Sequence, residues 1–109
     1  MIVSATRIRI RGLAGWFRFF RIIGRIRRQL DAAEGLRFAK FRGLTTLTGW
    51  DNRAAMQAFR NQGAHLEAMR NTRTIGIATV VTWECTHEPD WAEAEEQLRQ
   101  REEARESQS

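Results

Sequence analysis

One stretch, Gly49–Met69, sets the order of the elements, and it reads Gly-Trp-Asp-Asn-Arg-Ala-Ala-Met-Gln-Ala-Phe-Arg-Asn-Gln-Gly-Ala-His-Leu-Glu-Ala-Met. A strand is predicted to end at Trp50, and Asp51 is predicted to cap a helix by accepting the free N–H groups of its first turn. Gly63 is predicted to end that helix, because glycine adopts the left-handed conformation found at helix ends. A second short helix then carries His65 in its first turn.

Four segments alternate apolar and polar residues with the period of two that predicts strands. They cover residues 2–10, 36–41, 44–50 and 74–85. The middle two flank a turn at Arg42-Gly43 and are predicted to pair as a β-hairpin. Together with the opening stretch, these segments predict the four strands of one sheet.

Residues 13–31 are predicted to form a long amphipathic helix between the first two strands. Their apolar side chains follow helical spacing from Leu13 to Leu30. Arginines share the opposite face, at Arg18, Arg21, Arg25 and Arg28. The element order is β-α-β-β-α-β, so the sequence predicts an α+β, ferredoxin-like domain with helices on one face of a four-stranded antiparallel sheet.

The second face of this sheet also needs cover. The first and last strands carry apolar residues on both faces, whereas a face open to water would normally be polar. We therefore predict a homodimer that buries sheet against sheet.

The C-terminal part is predicted to be separate from the sheet domain. The domain covers residues 1–87, and residues 88–109 form a helix with a short apolar stripe at Trp91, Ala94 and Leu98. Residues 102–109 are charged with mixed sign and are expected to be disordered. Trp91 is expected to hold the start of this helix against the domain or against the partner subunit.

Composition limits the class of protein. There is no run of 18 apolar residues that would span a membrane, the first residues lack a signal-peptide pattern, and Cys85 is the only cysteine. These features predict a soluble, cytoplasmic protein with no internal disulfide. Residues 1–50 hold 11 basic and 2 acidic residues, while residues 51–109 hold 7 basic and 11 acidic residues. Such asymmetry is compatible with a nucleic-acid or lipid surface, or with two complementary parts of one assembly.

His65 is the candidate general base, since an imidazole with an ordinary pKa near 6.5 accepts protons at neutral pH. Aromatic and apolar residues around it predict a small-molecule pocket, although residues at such spacing also serve as plain core. The chain has no Gly-rich phosphate loop and no CxxC, HExxH or GxSxG motif. Cys85 and His87 lie two residues apart, but two ligands on a loop do not predict a metal site, and a small buried thiol beside a surface imidazole is the favoured interpretation.

The order of these parts resembles the antibiotic biosynthesis monooxygenase-like superfamily of dimeric α+β barrels. In that family a strand ends in tryptophan, a polar capping residue opens a helix, an aromatic residue follows about nine residues later, and a histidine-containing short helix often comes next. Trp50, Asp51, Phe59 and His65 occupy these places, and the resemblance covers roughly residues 2–85.

The resemblance implies a cofactor-independent monooxygenase that acts on a flat aromatic small molecule, with no metal and no cofactor. In such enzymes the substrate anion itself reduces oxygen. His65 would deprotonate or orient a phenol, Trp50 or Trp16 would stack on it, and Thr6 would donate or accept a hydrogen bond. The substrate-binding residues implied in this way are Thr6, Trp16, Phe20, Trp50, Phe59 and Met69.

Two departures from the family pattern are visible in the sequence. The chain has no tyrosine, whereas tyrosine contacts are frequent in pockets of this family. The haem-degrading branch places an asparagine on the first strand and a tryptophan in the second helix. In this chain Asn52 is the first asparagine and Phe59 stands where that tryptophan would be, so haem degradation is not predicted.

Two other classes of function stay open. One is a dimer of the same fold that binds a ligand or partner without catalysis. The other is a basic surface that binds nucleic acid or lipid through the arginine face of residues 13–31, because arginine neutralises phosphates and the helix resembles a membrane-surface peptide. The apolar stripe of that helix is, however, predicted to be needed for the core.

Overall fold

The computed structural model describes residues 1–70 and 75–107, without the side chains of residues 64 and 66–68. Its elements in chain order are β1 (Ile2–Ile10), α1 (Gly12–Asp31), β2 (Leu36–Arg42), β3 (Thr45–Trp50), α2 (Arg53–Arg60), α3 (Gly63–Arg70), β4 (Gly76–Glu84) and α4 (Trp91–Ser107). The predicted strands and α1 are confirmed with shifts of one or two residues at their ends, and Thr74 lies outside the described residues. Helix α2 ends at Arg60, three residues before Gly63, and α4 begins at Trp91, three residues later than predicted.

The four strands form one antiparallel sheet in the order β2-β3-β1-β4. Pairing of Ser4 with Thr48 and with Thr82 fixes the register of the three strands β3, β1 and β4. This order is that of the ferredoxin-like fold, so the predicted α+β class is confirmed.

The face of the sheet that carries Ser4 packs against α1, α2 and α3. Its core is a cluster of buried residues drawn from β1, α1, β3 and α2, namely Ile2, Leu30, Trp50, Met56 and Phe59. The Trp50 side chain is almost fully buried and its Nε1 donates a hydrogen bond to Thr48 Oγ1 at 2.9 Å. The partner of the indole N–H is thus supplied from the same strand.

Helix α1 uses only part of its predicted apolar stripe. Ile22 and Leu30 are buried, whereas Leu13 and Phe17 are 88% and 75% exposed. The prediction that the whole stripe serves the core is therefore wrong at the N-terminal end of α1, because the helix packs there through Gly15, where a Cβ would lie 2.4 Å from the carbonyl oxygen of Ile75.

The opposite face of the sheet is covered by α4. Ala94 and Leu98 are completely buried against Val3, Ala5 and Leu47. The sequence predicts a second copy of the chain in this role, whereas the structure gives it to a helix of the same chain. The helix also runs to Ser107, so the predicted disorder is wrong over residues 102–107, while residues 108 and 109 lie outside the described part.

Ion pairs explain the length of α4. Arg99 bonds to Glu96 and Glu103, three and four residues away along the helix, and such pairs stabilise helices. Arg7 on β1 pairs with Glu95 and Glu102, which ties two further turns of the helix to the sheet. The acidic and basic residues whose mixed signs predicted disorder therefore form ion pairs within α4 and with β1.

The homodimer stays a prediction with a simple test. Light scattering of the purified chain is expected to give a mass of twice the 12.7 kDa of one chain. Ile77, which is 50% exposed, lies on the face that α4 covers and leaves apolar surface for a partner. A mass near that of one chain would overturn the prediction.

Candidate functional site

A cavity of about 670 Å³ lies between the sheet and the helices α1, α2 and α3. Its walls come from side chains of α1 and from Leu44, Trp50, Met56, Phe59 and Ile75, while hydroxyl groups of the sheet form its floor, at Ser4, Thr6, Thr46 and Thr48. A largely apolar cavity with a few converging polar groups is typical of a small-molecule site.

Most of the predicted site residues meet in this cavity. Those that line it are His65, Thr6, Phe20, Trp50, Phe59 and Met69. Trp16 is the exception, because it is not among the lining residues and stacks on Phe20 with the ring centroids 5.7 Å apart. Helix α1 turns Trp16 outward, where it is 40% exposed.

His65 is held in the wall by contact with a neighbouring aromatic ring and by its backbone. Its ring lies 4.8 Å from the Phe59 ring, which in turn lies 5.2 Å from Trp50. The Nδ1 atom of His65 is buried and has no hydrogen-bond partner in the described part of the protein. Almost none of the surface of this atom is accessible, so other atoms of His65 line the cavity.

The Gln29 side chain joins the C-terminal end of α2 to the first turn of α3, which contains His65. Its Nε2 donates to the carbonyl oxygens of Phe59 and Gln62 at 3.0 and 2.8 Å, and its Oε1 accepts from the backbone N–H of His65 at 2.9 Å. The amide therefore satisfies groups left open where α2 ends and α3 begins. No periodic pattern in the sequence indicated this role, because it depends on contacts between α1 and residues 30 or more positions away.

The start of α2 differs from the sequence prediction. The N-cap is Asn52, whose side chain accepts a hydrogen bond from Ala55 N at 2.9 Å. Asp51 instead pairs with Arg37, with its Oδ1 2.6 Å from Arg37 Nε. The prediction of an Asp51 cap is therefore wrong by one residue, although the turn at Gly63, where φ is +54°, is confirmed.

The pKa of His65 lies below its ordinary value of 6.5. The main cause is burial, which disfavours the charged imidazolium, and the neighbouring charge of Arg60 acts in the same direction. A hydrogen bond with the Arg60 backbone opposes both effects. The imidazole is therefore neutral at pH 7 and able to accept a proton.

Arg60 is a cation at the floor of the cavity that sequence reasoning missed. Its Nη2 donates to Ser4 Oγ at 2.8 Å and to Thr82 Oγ1 at 3.4 Å. Burial lowers its pKa, and the side chains that the structure describes place no carboxylate in ion-pair contact with it. Its spacing from Met56, four residues earlier on α2, could have indicated that it faces the sheet.

The pKa of His65 predicts how stability changes with pH. Because this pKa is lower in the folded state, the unfolded chain binds more protons below pH 6.5, so the free energy of unfolding falls as pH falls from 6.5 toward the folded pKa. Urea unfolding at several pH values is expected to show this loss, and His65→Gln is expected to lose less stability over the same range. An identical pH dependence in both proteins would contradict the assignment.

The described lining of the cavity offers no metal-binding set. Its titratable members are Arg27, Arg60 and His65, and no cysteine or carboxylate is among them. Among the described residues that line the cavity, the titratable groups available to a ligand are therefore one neutral base, His65, and two cations, Arg27 and Arg60.

No helix in the described part combines the length and apolar character needed to cross a membrane.

Comparison of the sequence with family models and with curated proteins gave no match. Comparison of the structure gave several. SnoaB, a cofactor-independent oxygenase from Streptomyces nogalater, aligns with a TM-score of 0.61 and 13% identity over 79% of this chain and 93% of its own. The chain has the fold of the antibiotic biosynthesis monooxygenases.

Two further structures support this assignment of the fold. Rv0793 from Mycobacterium tuberculosis aligns with a TM-score of 0.66 at 12% identity, over 82% of this chain and 98% of its own. A structure described as an antibiotic biosynthesis monooxygenase aligns with a TM-score of 0.65 at 11% identity, over 80% and 100% of the two chains. The monooxygenase-like fold predicted from Trp50, Phe59 and His65 is confirmed, and chemistry does not follow from fold alone.

Proposed function

We propose that this protein is a cofactor-independent monooxygenase that acts on a flat, apolar aromatic molecule with an ionisable hydroxyl group. The observation that carries the proposal is the largely apolar cavity whose described lining brings together His65, with its lowered pKa, and the cation Arg60. The substrate hydroxyl would contact these two groups. The fold shared with SnoaB, which is described as a cofactor-independent oxygenase, supports the same class of reaction.

The reaction begins with proton transfer from the substrate to neutral His65. The resulting anion gives one electron to O₂, and the two radicals combine to form a carbon–oxygen bond in a peroxide. Loss of water from the peroxide leaves a carbonyl group. One oxygen atom of O₂ ends in the product and the other in water. A phenol and O₂ thus give a quinone and water, and the substrate supplies all four electrons as it loses its hydroxyl hydrogen and one ring C–H hydrogen and gains one oxygen atom.

Arg60 and the hydroxyl floor stabilise the substrate anion in this proposal. The guanidinium carries positive charge into a partly buried site where electrostatic interactions are stronger than in water. Thr6 lies on the same floor and offers a hydrogen bond to a second oxygen. Phe59, packed on Trp50, and the more exposed Phe20 line the cavity and would supply apolar contact to an aromatic ring.

A thermal-shift screen tests the proposal. Polycyclic phenols, their methyl ethers, quinones and haemin are compared on the wild type and on Arg60→Gln. A ligand present at one hundred times its dissociation constant adds about 2.7 kcal/mol to stability, and we expect phenols to stabilise the wild type more than the ethers do. Arg60→Gln should remove that difference. Consumption of O₂ with the best phenol then tests catalysis.

The alternative is a ligand-binding protein of the same fold without catalysis. It predicts the same stabilisation by aromatic ligands and no consumption of O₂. The absence of any stabilising ligand would count against both functions and in favour of a role for the arginine face of α1. Stabilisation by haemin alone, with turnover of the pigment, would instead favour the haem-degrading branch.

A second candidate function is binding of an anionic membrane by α1. Its N-terminal half exposes apolar side chains, with Phe20 66% exposed beside Leu13 and Phe17, and the arginine face predicted from the sequence is exposed along the same helix. Phe20 also lines the cavity. An apolar substrate could therefore pass from the bilayer to the cavity along this edge.

Vesicle sedimentation tests this candidate. Vesicles with anionic lipid are expected to bind the wild type, and Arg21→Glu plus Arg25→Glu should weaken binding by roughly 30-fold or more at about 1 kcal/mol for each arginine near the surface. Arg42→Glu plus Arg101→Glu makes the same change of net charge away from α1 and serves as the control. Equal weakening by both pairs, or binding of DNA but not vesicles, would overturn it.

A further inference from the structure

A cluster of three metal-ligating side chains lies outside the cavity. Cys85 follows the end of β4, His87 lies in the loop, and Glu93 lies in the first turn of α4; one ligand atom from each lies within 4.8 Å of the other two. The sequence alone places only the first two residues near each other, and two ligands on a loop do not predict a metal site. Folding adds the third ligand, because α4 returns along the sheet and brings its first turn to the end of β4.

The distances are close to those of a metal centre. His87 Nε2 lies 3.1 Å from Glu93 Oε1 and 3.9 Å from Cys85 Sγ. Ligands around tetrahedral zinc, with bonds of about 2.0 to 2.3 Å, lie roughly 3.5 Å from one another. Exposed side chains such as His87 (61%) and Glu93 (44%) can close the remaining gap by rotation alone.

The chemistry of the three donors also fits one ion. Thiolate, imidazole and carboxylate are the ligand types of Zn²⁺, and three protein ligands leave the fourth position for water. The charge balances, because a thiolate and a carboxylate together neutralise a divalent cation. Binding would release the thiol proton of Cys85 to the solvent.

We propose that Cys85, His87 and Glu93 bind a zinc ion that fastens the N-terminal end of α4 to the sheet. The backbone around the ligands is already fixed, since Cys85 N donates to Met1 O at 2.9 Å and Asp90 Oδ1 caps α4 by accepting from Glu93 N at 2.9 Å. The ion would therefore join two ordered segments through the loop between them. This site is independent of the proposed oxygenase chemistry.

Metal titration of the full, untagged chain tests the proposal. Co²⁺ is expected to give the thiolate charge-transfer band and the strong visible bands of tetrahedral coordination, and Zn²⁺ is expected to displace it with one ion bound per chain. Calorimetry in buffers of different ionisation enthalpy should show proton release. Zn²⁺ should also raise the melting temperature.

Three variants separate this site from adventitious binding. Cys85→Ser, His87→Gln and Glu93→Gln should each weaken Zn²⁺ binding at least about tenfold. Glu88→Gln is the control, because its carboxylate lies in the same loop but pairs with Lys40 Nζ at 2.9 Å. If Cys85→Ser folds poorly, His87→Gln and Glu93→Gln still test the site, because both of these side chains are exposed. Absence of the thiolate band, or equal affinity in Glu93→Gln and Glu88→Gln, would overturn the proposal.

Discussion

Replacement of His65 by alanine is expected to lower kcat for the substrate by about 10² to 10⁴-fold, the usual contribution of a general base. The lowered pKa of His65 keeps the ring neutral at pH 7, and Phe59 and Gln29 hold it in place. The effect should fall on kcat, since the wall and floor of the cavity that bind the aromatic rings are unchanged. Steady-state consumption of O₂ with the phenol selected by thermal shift measures it.

Gln57→Ala is the control, because Gln57 is exposed on α2 and is not among the residues lining the cavity. Activity should be unchanged in that variant. Circular dichroism and melting of His65→Ala establish that the fold is intact. Full activity in His65→Ala would eliminate the proposed base, and the non-catalytic binding function would then be favoured.

Leu98→Ala is expected to lower the free energy of unfolding by about 2 to 5 kcal/mol. Leu98 is completely buried between α4 and the sheet, in one cluster with Val3, Ala5 and Leu47. Truncation of its side chain removes apolar contact and leaves a cavity that the sheet cannot close. Since small domains are stable by only about 5 to 15 kcal/mol, the loss is a large part of the total and is measured by urea unfolding.

Leu13→Ala provides the comparison for this change. It deletes the same atoms from a helix, but Leu13 is 88% exposed, so the expected change in unfolding free energy is within about 0.5 kcal/mol. A Leu98→Ala effect as small as that of Leu13→Ala would mean that α4 is not part of the core and would return the covering of this sheet face to a second copy of the chain.

Much of the fold was predictable because it depends on local patterns. Period-two alternation located β1 and the β2–β3 hairpin, and helical spacing located α1 within one residue of its observed start. The cap of α2 was misplaced, because Asp51 and Asn52 are both good caps and only the position of Arg37 decides which one is free to act. The local sequence therefore predicts that a helix starts here, but it does not determine whether Asp51 or Asn52 is the N-cap.

The candidate site was predicted in part. The stretch Gly49–Met69 contains Trp50, Phe59 and His65. These residues meet in one cavity mainly because of the order of the strand and the two helices that carry them. Trp16 was wrongly included because the spacing of α1 places it on the apolar stripe, whereas the rotation of the packed helix turns that part outward. Arg60 was omitted because a single arginine does not reveal from the sequence that hydroxyl groups of two strands will surround it.

The sequence by itself determined the α+β class, the element order and the histidine that follows the Gly63 turn, because these depend on residues close together in the chain. Tertiary structure decided which side chains surround the cavity, that Gln29 orients the His65 backbone, and that α4 covers the second sheet face. It also joined Glu93 to Cys85 and His87. The physical reason is that contacts between distant residues depend on helix rotation and on packing against the sheet, which hydrophobic periodicity leaves open.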